Sequence, residues 1–534
     1  MLRASLGLSL LPVLLATTAT AQGGAASAQG DAGAAWRRHV EILAADDMEG
    51  RGTGTPGYDR AADYVIAQFR RIGLKPGGID GFKQPVAFVE QIVQSDRSSA
   101  SLIGAQGETP LAVPGDLIFS GGGGPVPESI DAPMVFAGYG LHLPDAGYDD
   151  FAGLDVRGKI VVVISGGPSA LSGALKSHAR SERATWLASQ GALGLISLVT
   201  PKQVEIPWNR RVNLAGAPAL YFADAVLRET QEPFLGAQLD PAKSALLFAG
   251  SGQDFAKIAD AADASAPIKG FALTQRFKAQ VAAQRRDVAS SNIVAVLPGS
   301  DPRLKSEYVV LSAHLDGYGI GTSVNGDGIY NGALDNASGV ASLIEIAKAL
   351  KAGKEKPKRS ILFAIVTAEE KGLLGARYFA KRPTVPQQAI VADLNFDMAL
   401  PIFPLKAVTP IGYDQSSLGK DAEAVSAQMG LPIWPDPFPD RNVFIRSDQY
   451  AFIREGIPAL FFKYGFKAGT PEAEVEKAWR ANIYHSPSDD PKQSVMPAET
   501  AKLNAYVTAV ALRVANSPRR PAWNDDSFFK RFAK

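Results

Sequence analysis

The sequence predicts an α/β protein, a mainly parallel mixed sheet flanked by helices, with a β-rich domain inserted into it. Three observations carry this. From Ser291 onward, runs rich in Val, Ile, Leu and Phe alternate with stretches of helical period, the pattern of βα units. Between about residues 85 and 285 the texture changes to short β-rich runs broken by Gly and Pro. The chain has 534 residues with 46% apolar content, too long for one ordinary domain and rich enough for a sizeable core.

The N-terminus has Arg3, then the apolar run Leu6 to Ala16, then Ala19-Thr20-Ala21 before Gln22. This is the layout of a secretory signal peptide over residues 1–21, cut after Ala21. The apolar run is shorter than the ~20 residues that span a bilayer. The mature protein is therefore expected in the periplasm or outside the cell, with no membrane anchor. Residues 22–34, rich in Ala, Gly and Gln, are expected to be disordered. Cysteine is absent, so disulfides, thiolate metal sites and thiol nucleophiles are excluded; any metal must be held by nitrogen and oxygen. A net charge of +1 from 55 basic and 54 acidic residues gives no nucleic-acid surface.

The first ordered part pairs Trp36, Val40, Ile42 and Leu43 with a Gly-rich turn, Gly50 to Gly57, and a second helix bearing Ala61, Ala62, Val65, Ile66 and Phe69. Within the insert, Met134 to Phe136, Lys159 to Ile164 and Leu193 to Leu198 are strand candidates, and Ser181 to Gln190 is helical. After it, strands are expected over Asn292–Leu297, Tyr308–Ala313, Ser360–Val366, Ile390–Phe396 and Pro458–Phe462. Helices are expected over Ala337–Leu350, Leu374–Ala380 and Ala498–Val514. The α/β unit thus takes residues 35–85 and 286–534, and the insert 86–285.

Open α/β sheets bind ligands outside the carboxyl ends of their strands. His314 and Asp316 follow one expected strand, Glu369 and Glu370 a second, and Asp397 a third; Asp335 precedes a helix. Singly each has a structural explanation, Asp335 as a helix cap and the Glu pair as solvated surface. Together they would form a like-charge cluster that is costly without a cation. His485, in Tyr484-His485-Ser486-Pro487, adds a second imidazole; His39, His142 and His178 lie outside the pattern.

His314-Leu315-Asp316, Leu334-Asp335-Asn336-Ala337-Ser338-Gly339, Ala368-Glu369-Glu370, Asn395-Phe396-Asp397-Met398 and Tyr484-His485-Ser486-Pro487 together resemble the two-zinc aminopeptidase family, which includes aminopeptidase Y, bacterial leucyl aminopeptidase and glutamate carboxypeptidase. Asp47-Met48-Glu49-Gly50-Arg51 resembles its N-terminal region. Gly138-Tyr139-Gly140 and Gly153 to Lys159 resemble its inserted protease-associated domain. The resemblance implies a zinc-exopeptidase fold holding two Zn²⁺ per chain. It implies that Asp335 bridges the ions, that Glu370 and His485 complete one site, and that His314 and Asp397 complete the other. It makes Asp316 the carboxylate that fixes the His314 ring by a hydrogen bond. Glu369 becomes the general base acting on a metal-bridging hydroxide. The substrates would be peptides with a free N-terminus.

In Ser447-Asp448-Gln449-Tyr450, relatives often carry His where this chain has Gln449, which is taken as a non-ligand. Tyr318, Tyr330, Tyr413, Phe438 and Phe444 are candidates for a specificity pocket. A carboxypeptidase or aminoacylase-type amidase is the alternative on the same site, with Arg441 and Arg446 available for a substrate carboxylate. A catalytically silent binding protein would have lost ligands or base, and none is missing here.

Overall fold

The computed structural model describes residues 18–204 and 206–534. The apolar run Leu6 to Ala16 lies outside the described residues. Among the described residues no helix is long and apolar enough to cross a membrane.

Numbering only the strands of the first sheet, these are β1 (Lys83–Val93), β2 (Ala219–Phe222), β3 (Ala283–Leu297), β4 (Tyr308–His314), β5 (Ser360–Val366), β6 (Ile390–Asn395), β7 (Val408–Ile411) and β8 (Ala459–Tyr464). Their spatial order is β2-β1-β3-β5-β4-β6-β8-β7, with Lys75–Pro76 paired onto β3. The four central strands, β5, β4, β6 and β8, are mutually parallel, and the flanks are antiparallel. The sheet is mixed, and its parallel part is the centre, where βα units put helices on both faces.

Alternation along the strands sorts the core. On β5, Ile361, Phe363 and Ile365 pack with one layer of helices: Thr18–Leu43, Pro56–Ile72, Ser338–Ala352 and Pro497–Asn516. Leu362, Ala364 and Val366 face Phe379 and Phe452 on the other side. The helix Pro56–Ile72 shows how local sequence sets such an element. Thr55 caps it by accepting from the Tyr58 amide, Pro56 opens it, and Gly73 closes it at φ 82°.

The helix Thr18–Leu43 takes in residues 22–34. Alanine is the strongest helix former, and this segment is rich in it. The helix is held at its far end by Trp36, fully buried, whose indole N–H donates to the Ser338 carbonyl at 3.0 Å. Gly33 permits close approach: a Cβ there would lie 2.6 Å from the Pro497 backbone.

A second sheet of eight strands occupies residues 99–280, with its own core around Leu102, Phe136, Val162, Ile196 and Phe277. It is joined to the first sheet by a two-stranded ribbon. β1 and β3 pair from Lys83↔Ile293 to Val93↔Ala283, so the boundaries expected at 86 and 285 fall inside continuous strands. β2 returns from the insert to pair with β1 in the first sheet.

Candidate metal centre

The strand register lines up the carboxyl ends of the central strands. His314 sits opposite Val366, and Ser312 opposite Asn395. The next residues of each chain segment, Leu315-Asp316, Thr367 to Glu370, and Phe396-Asp397, therefore emerge at one edge. Asp335 arrives from the loop before Ser338–Ala352, and His485 from the loop after Pro471–Asn482.

The structure brings all five expected ligands together as two groups sharing Asp335. His314 Nε2 lies 3.3 Å from Asp335 Oδ1 and 3.6 Å from Asp397 Oδ1. His485 Nε2 lies 3.2 Å from Asp335 Oδ2 and 3.5 Å from Glu370 Oε2. Metal bonds of about 2.0–2.1 Å at tetrahedral angles set neighbouring ligand atoms roughly 3.3–3.4 Å apart. The four spacings, from 3.2 to 3.6 Å, bracket that value. His314 Nε2 and Asp397 Oδ1 are buried without a hydrogen-bond partner, a costly state that a cation would relieve. The donor set of imidazole and carboxylate suits zinc among other divalent ions. Glu369 belongs to neither group; its Oε2 is 4.0 Å from His314 Nε2.

Electrostatics points the same way. Burial alone would lower the His314 pKa, but Glu369, Asp335 and Asp397 together hold it well above its usual value. Burial, opposed by His314 but reinforced by Glu370 and Asp397, pushes the Glu369 carboxyl well up. Burial does the same to Glu370, with Asp335 adding to it. These are the shifts of a carboxylate cluster short of positive charge.

The role expected of Asp316 is corrected in detail. Its carboxylate accepts from the backbone amides of Glu369 at 3.0 Å and Glu370 at 3.3 Å. With those amides claiming it, the carboxylate stands 3.9 Å from His314 Nδ1, which meets the Asp316 main-chain carbonyl at 3.1 Å instead. A carbonyl only accepts, so Nδ1 carries a proton, and Nε2 is the ring atom that would meet a metal once its own proton is lost.

Four supporting residues have no role in the sequence reading. Asp489 accepts from the amides of Leu334 and Asp335 at 2.9 and 3.0 Å, tying the His485 loop to the Asp335 loop. Ser447 Oγ donates to Asp397 Oδ2 at 2.6 Å. Lys463 Nζ donates to the Asp397 carbonyl at 2.7 Å. Arg51, fully buried, donates to the carbonyls of Leu43, Leu315, Asn331 and Gly332 and so clamps three loops. One signal could have found Arg51: a charged side chain among the Gly and Thr of a tight turn. Ala368, Met398 and His485 all have positive φ, at 55°, 48° and 54°, strain of the kind that gathers at functional sites.

Of the pocket candidates, Tyr318 places its hydroxyl 3.2 Å from His485 Nδ1, and Phe438 lines a cavity of about 680 Å³ that reaches Asp397. Phe444 is core, packed against Phe529. Tyr330 bonds the Thr322 carbonyl, and Tyr413 packs against the main core. Gln449 faces away from the cluster, accepting from Asn395 and donating to the carbonyls of Val443 and Phe444. Asp448 is buried with both carboxylate oxygens unpartnered and makes no helix-capping bond.

A mixed sheet with helices on both faces and an acidic and imidazole cluster across its strand ends defines the class as the zinc-exopeptidase fold. Residues 292–511 match the family model of peptidase family M28. The probable leucine aminopeptidase 2 of Aspergillus fumigatus is 32% identical over 242 residues, 42% of this chain and 44% of that protein. The probable lipoprotein aminopeptidase LpqL of Mycobacterium tuberculosis is 26% identical over 465 residues, 83% of this chain and 74% of that protein. The aminopeptidase from Aneurinibacillus sp. strain AM-1 shares the fold with a TM-score of 0.55 at 18% identity, over 91% of this chain and 95% of that one. The chain spans less than half the length of the Aspergillus leucine aminopeptidases that it matches.

Proposed function

We propose that this chain is a two-zinc aminopeptidase that releases N-terminal residues from peptides. One observation carries the proposal: the two oxygens of Asp335 face different imidazoles, at 3.3 and 3.2 Å, each backed by its own second carboxylate. His314 and Asp397 would hold one ion and Glu370 and His485 the other, with Asp335 between them. Zinc, when bound, supplies a Lewis acid that polarises the scissile carbonyl and acidifies water. Glu369, left off both groups, takes a proton from the attacking water and hands it to the leaving amine. Asp316 holds the backbone from which Glu369 and Glu370 diverge. Tyr318 orients the His485 ring.

The insert serves as a protease-associated domain in this reading, and its segment 206–217 supports a roofing role. Ile206 lines the cavity at Asp397 and also one of about 440 Å³ that reaches Glu370 and His485. Arg210 donates to the carbonyls of Ala481 and Tyr484, beside His485. Export with cleavage after Ala21 belongs to the same proposal; N-terminal sequencing of the mature protein tests it.

Zinc-loaded protein should cleave aminoacyl p-nitroanilides and leave their N-acetylated forms intact. Equal turnover of free and acetylated forms would remove the aminopeptidase reading. A carboxypeptidase or aminoacylase-type reading uses the same centre, and the basic walls of the Asp397 cavity favour it.

A further inference from the structure

We propose that the groove between the helices Thr18–Leu43, Pro56–Ile72 and Ser338–Ala352 binds a phosphate monoester with an apolar body, held by Arg38, Arg71 and the side-chain amide of Gln68. The proposed peptidase reading makes no use of this groove. The helix Ser338–Ala352 starts at the metal centre, just after Asp335, and the groove spans its far half, from Ile344 to Ala352.

The groove holds about 660 Å³, within the range of small-molecule sites. Its charged lining is Arg38, Arg71, Lys348 and Lys351 against one carboxylate, Glu345, with His39 beside it. Glu345 is already engaged: its Oε1 lies 3.2 Å from His39 Nε2 and its Oε2 3.4 Å from Lys348 Nζ. The acids Glu41 and Asp63, on the same two helices, stand outside the lining and pair with Arg37 and Lys83. Lys351 has a local role too. It donates to the Gly73 carbonyl at 3.2 Å, at the carbonyl end of Pro56–Ile72, where a cation is favoured. Arg71 lies in the last turn of that helix but bonds no carbonyl there. Among the described residues neither Arg38 nor Arg71 makes a hydrogen bond or an ion pair. The two stand near one point of the wall: burial pushes the Tyr64 hydroxyl up, and Arg71 and Arg38 both pull against it.

Gln68 is an independent sign of a ligand. It is 8% exposed, lines the groove, and its amide has no hydrogen-bond partner among the described residues. An amide so placed is costly until something in the groove meets it. Ile42, Ile72 and Ile344 supply apolar lining beside these groups. A phosphate monoester carries close to two charges at neutral pH and three acceptor oxygens. That is enough for two guanidinium forks and an amide donor. A carboxylate, with one charge and two oxygens, would leave part of the set unused.

Phosphate monoesters occur free or as lipid headgroups. Two probes separate these sources: phenyl phosphate, and phosphatidylcholine vesicles containing phosphatidic acid. Hydrogen exchange of the zinc-loaded full chain reads where each one binds. At least one probe should slow exchange fivefold or more across residues 35–43, 64–72 and 344–352. Dimethyl phenyl phosphate and pure phosphatidylcholine vesicles, which lack the monoester, should leave those segments unchanged. Protection by phenyl phosphate assigns a soluble ester, and protection by the vesicles alone assigns a headgroup. The double variant Arg38→Gln, Arg71→Gln should lose most of the protection, and so should Gln68→Leu. The Gln68 variant alters no charge, so its loss separates a shaped site from a merely basic surface. No protection by either probe, protection confined to the metal loops, or protection undiminished in both variants would overturn the inference.

Discussion

Glu369 and Glu370 are neighbours in the chain with different surroundings. Asp316 fixes both amides, after which Glu370 turns to His485 and Glu369 stays apart. Glu369→Gln keeps the shape and removes the base; zinc content should hold while kcat falls about a hundred- to ten-thousand-fold. Full activity in that variant would remove Glu369 from the chemistry. The base must be ionised; in the metal-free cluster burial with its acidic neighbours raises its pKa, and bound zinc would oppose that shift. Asp393 gives a separate test in the core. Burial, partly offset by the Ser312 hydroxyl, pushes it up to about 8, against roughly 3.9 unfolded. Between those values the folded state keeps a proton that the unfolded state has lost, so stability falls as pH rises. Asp393→Asn should gain on the parent between pH 5 and 8, by on the order of 1.4 kcal/mol per pH unit. A difference independent of pH would contradict this. The five residues that gather in the two groups were legible because each follows a strong strand or sits in a family-like run. Asp489, Ser447 and Lys463 were not. Their partners are backbone amides, a carboxylate and carbonyls from distant segments, contacts with no periodicity in the sequence.

Among the elements, the parallel strands β4, β5, β6 and β8 were the most legible. They are buried on both faces and read as unbroken apolar runs. β7, of four residues, and the helix Leu418–Met429 were missed; neither carries a run long enough to declare itself. The β1–β3 ribbon runs on from the first sheet toward the second without a break at residues 86 or 285. At the site, the loop of Asp335 is held to the loop of His485 by Asp489. Asp489→Ala frees two buried amides and lets the metal groups drift apart. Zinc affinity, by chelator competition, should weaken about ten- to a hundredfold. Unchanged affinity would make Asp489 a packing residue only.

At the scale of the whole molecule, the clustered acids Asp335, Glu369, Glu370 and Asp397 repel one another until a cation joins them. Binding of zinc to the folded state alone should raise Tm, by about 2.7 kcal/mol of stabilisation at a hundredfold excess over Kd. It should also expel protons, because the raised pKa of His314 leaves its ring protonated in the free cluster. Zinc affinity should therefore rise with pH through the neutral range, and affinity that is flat with pH would contradict this. Asp335 is shared by the two groups that would each hold an ion. The zinc content of the full chain after loading and exhaustive dialysis, measured by plasma mass spectrometry, tests this most directly. Two zinc ions per chain are expected; a chain that retains one or none contradicts a two-ion centre.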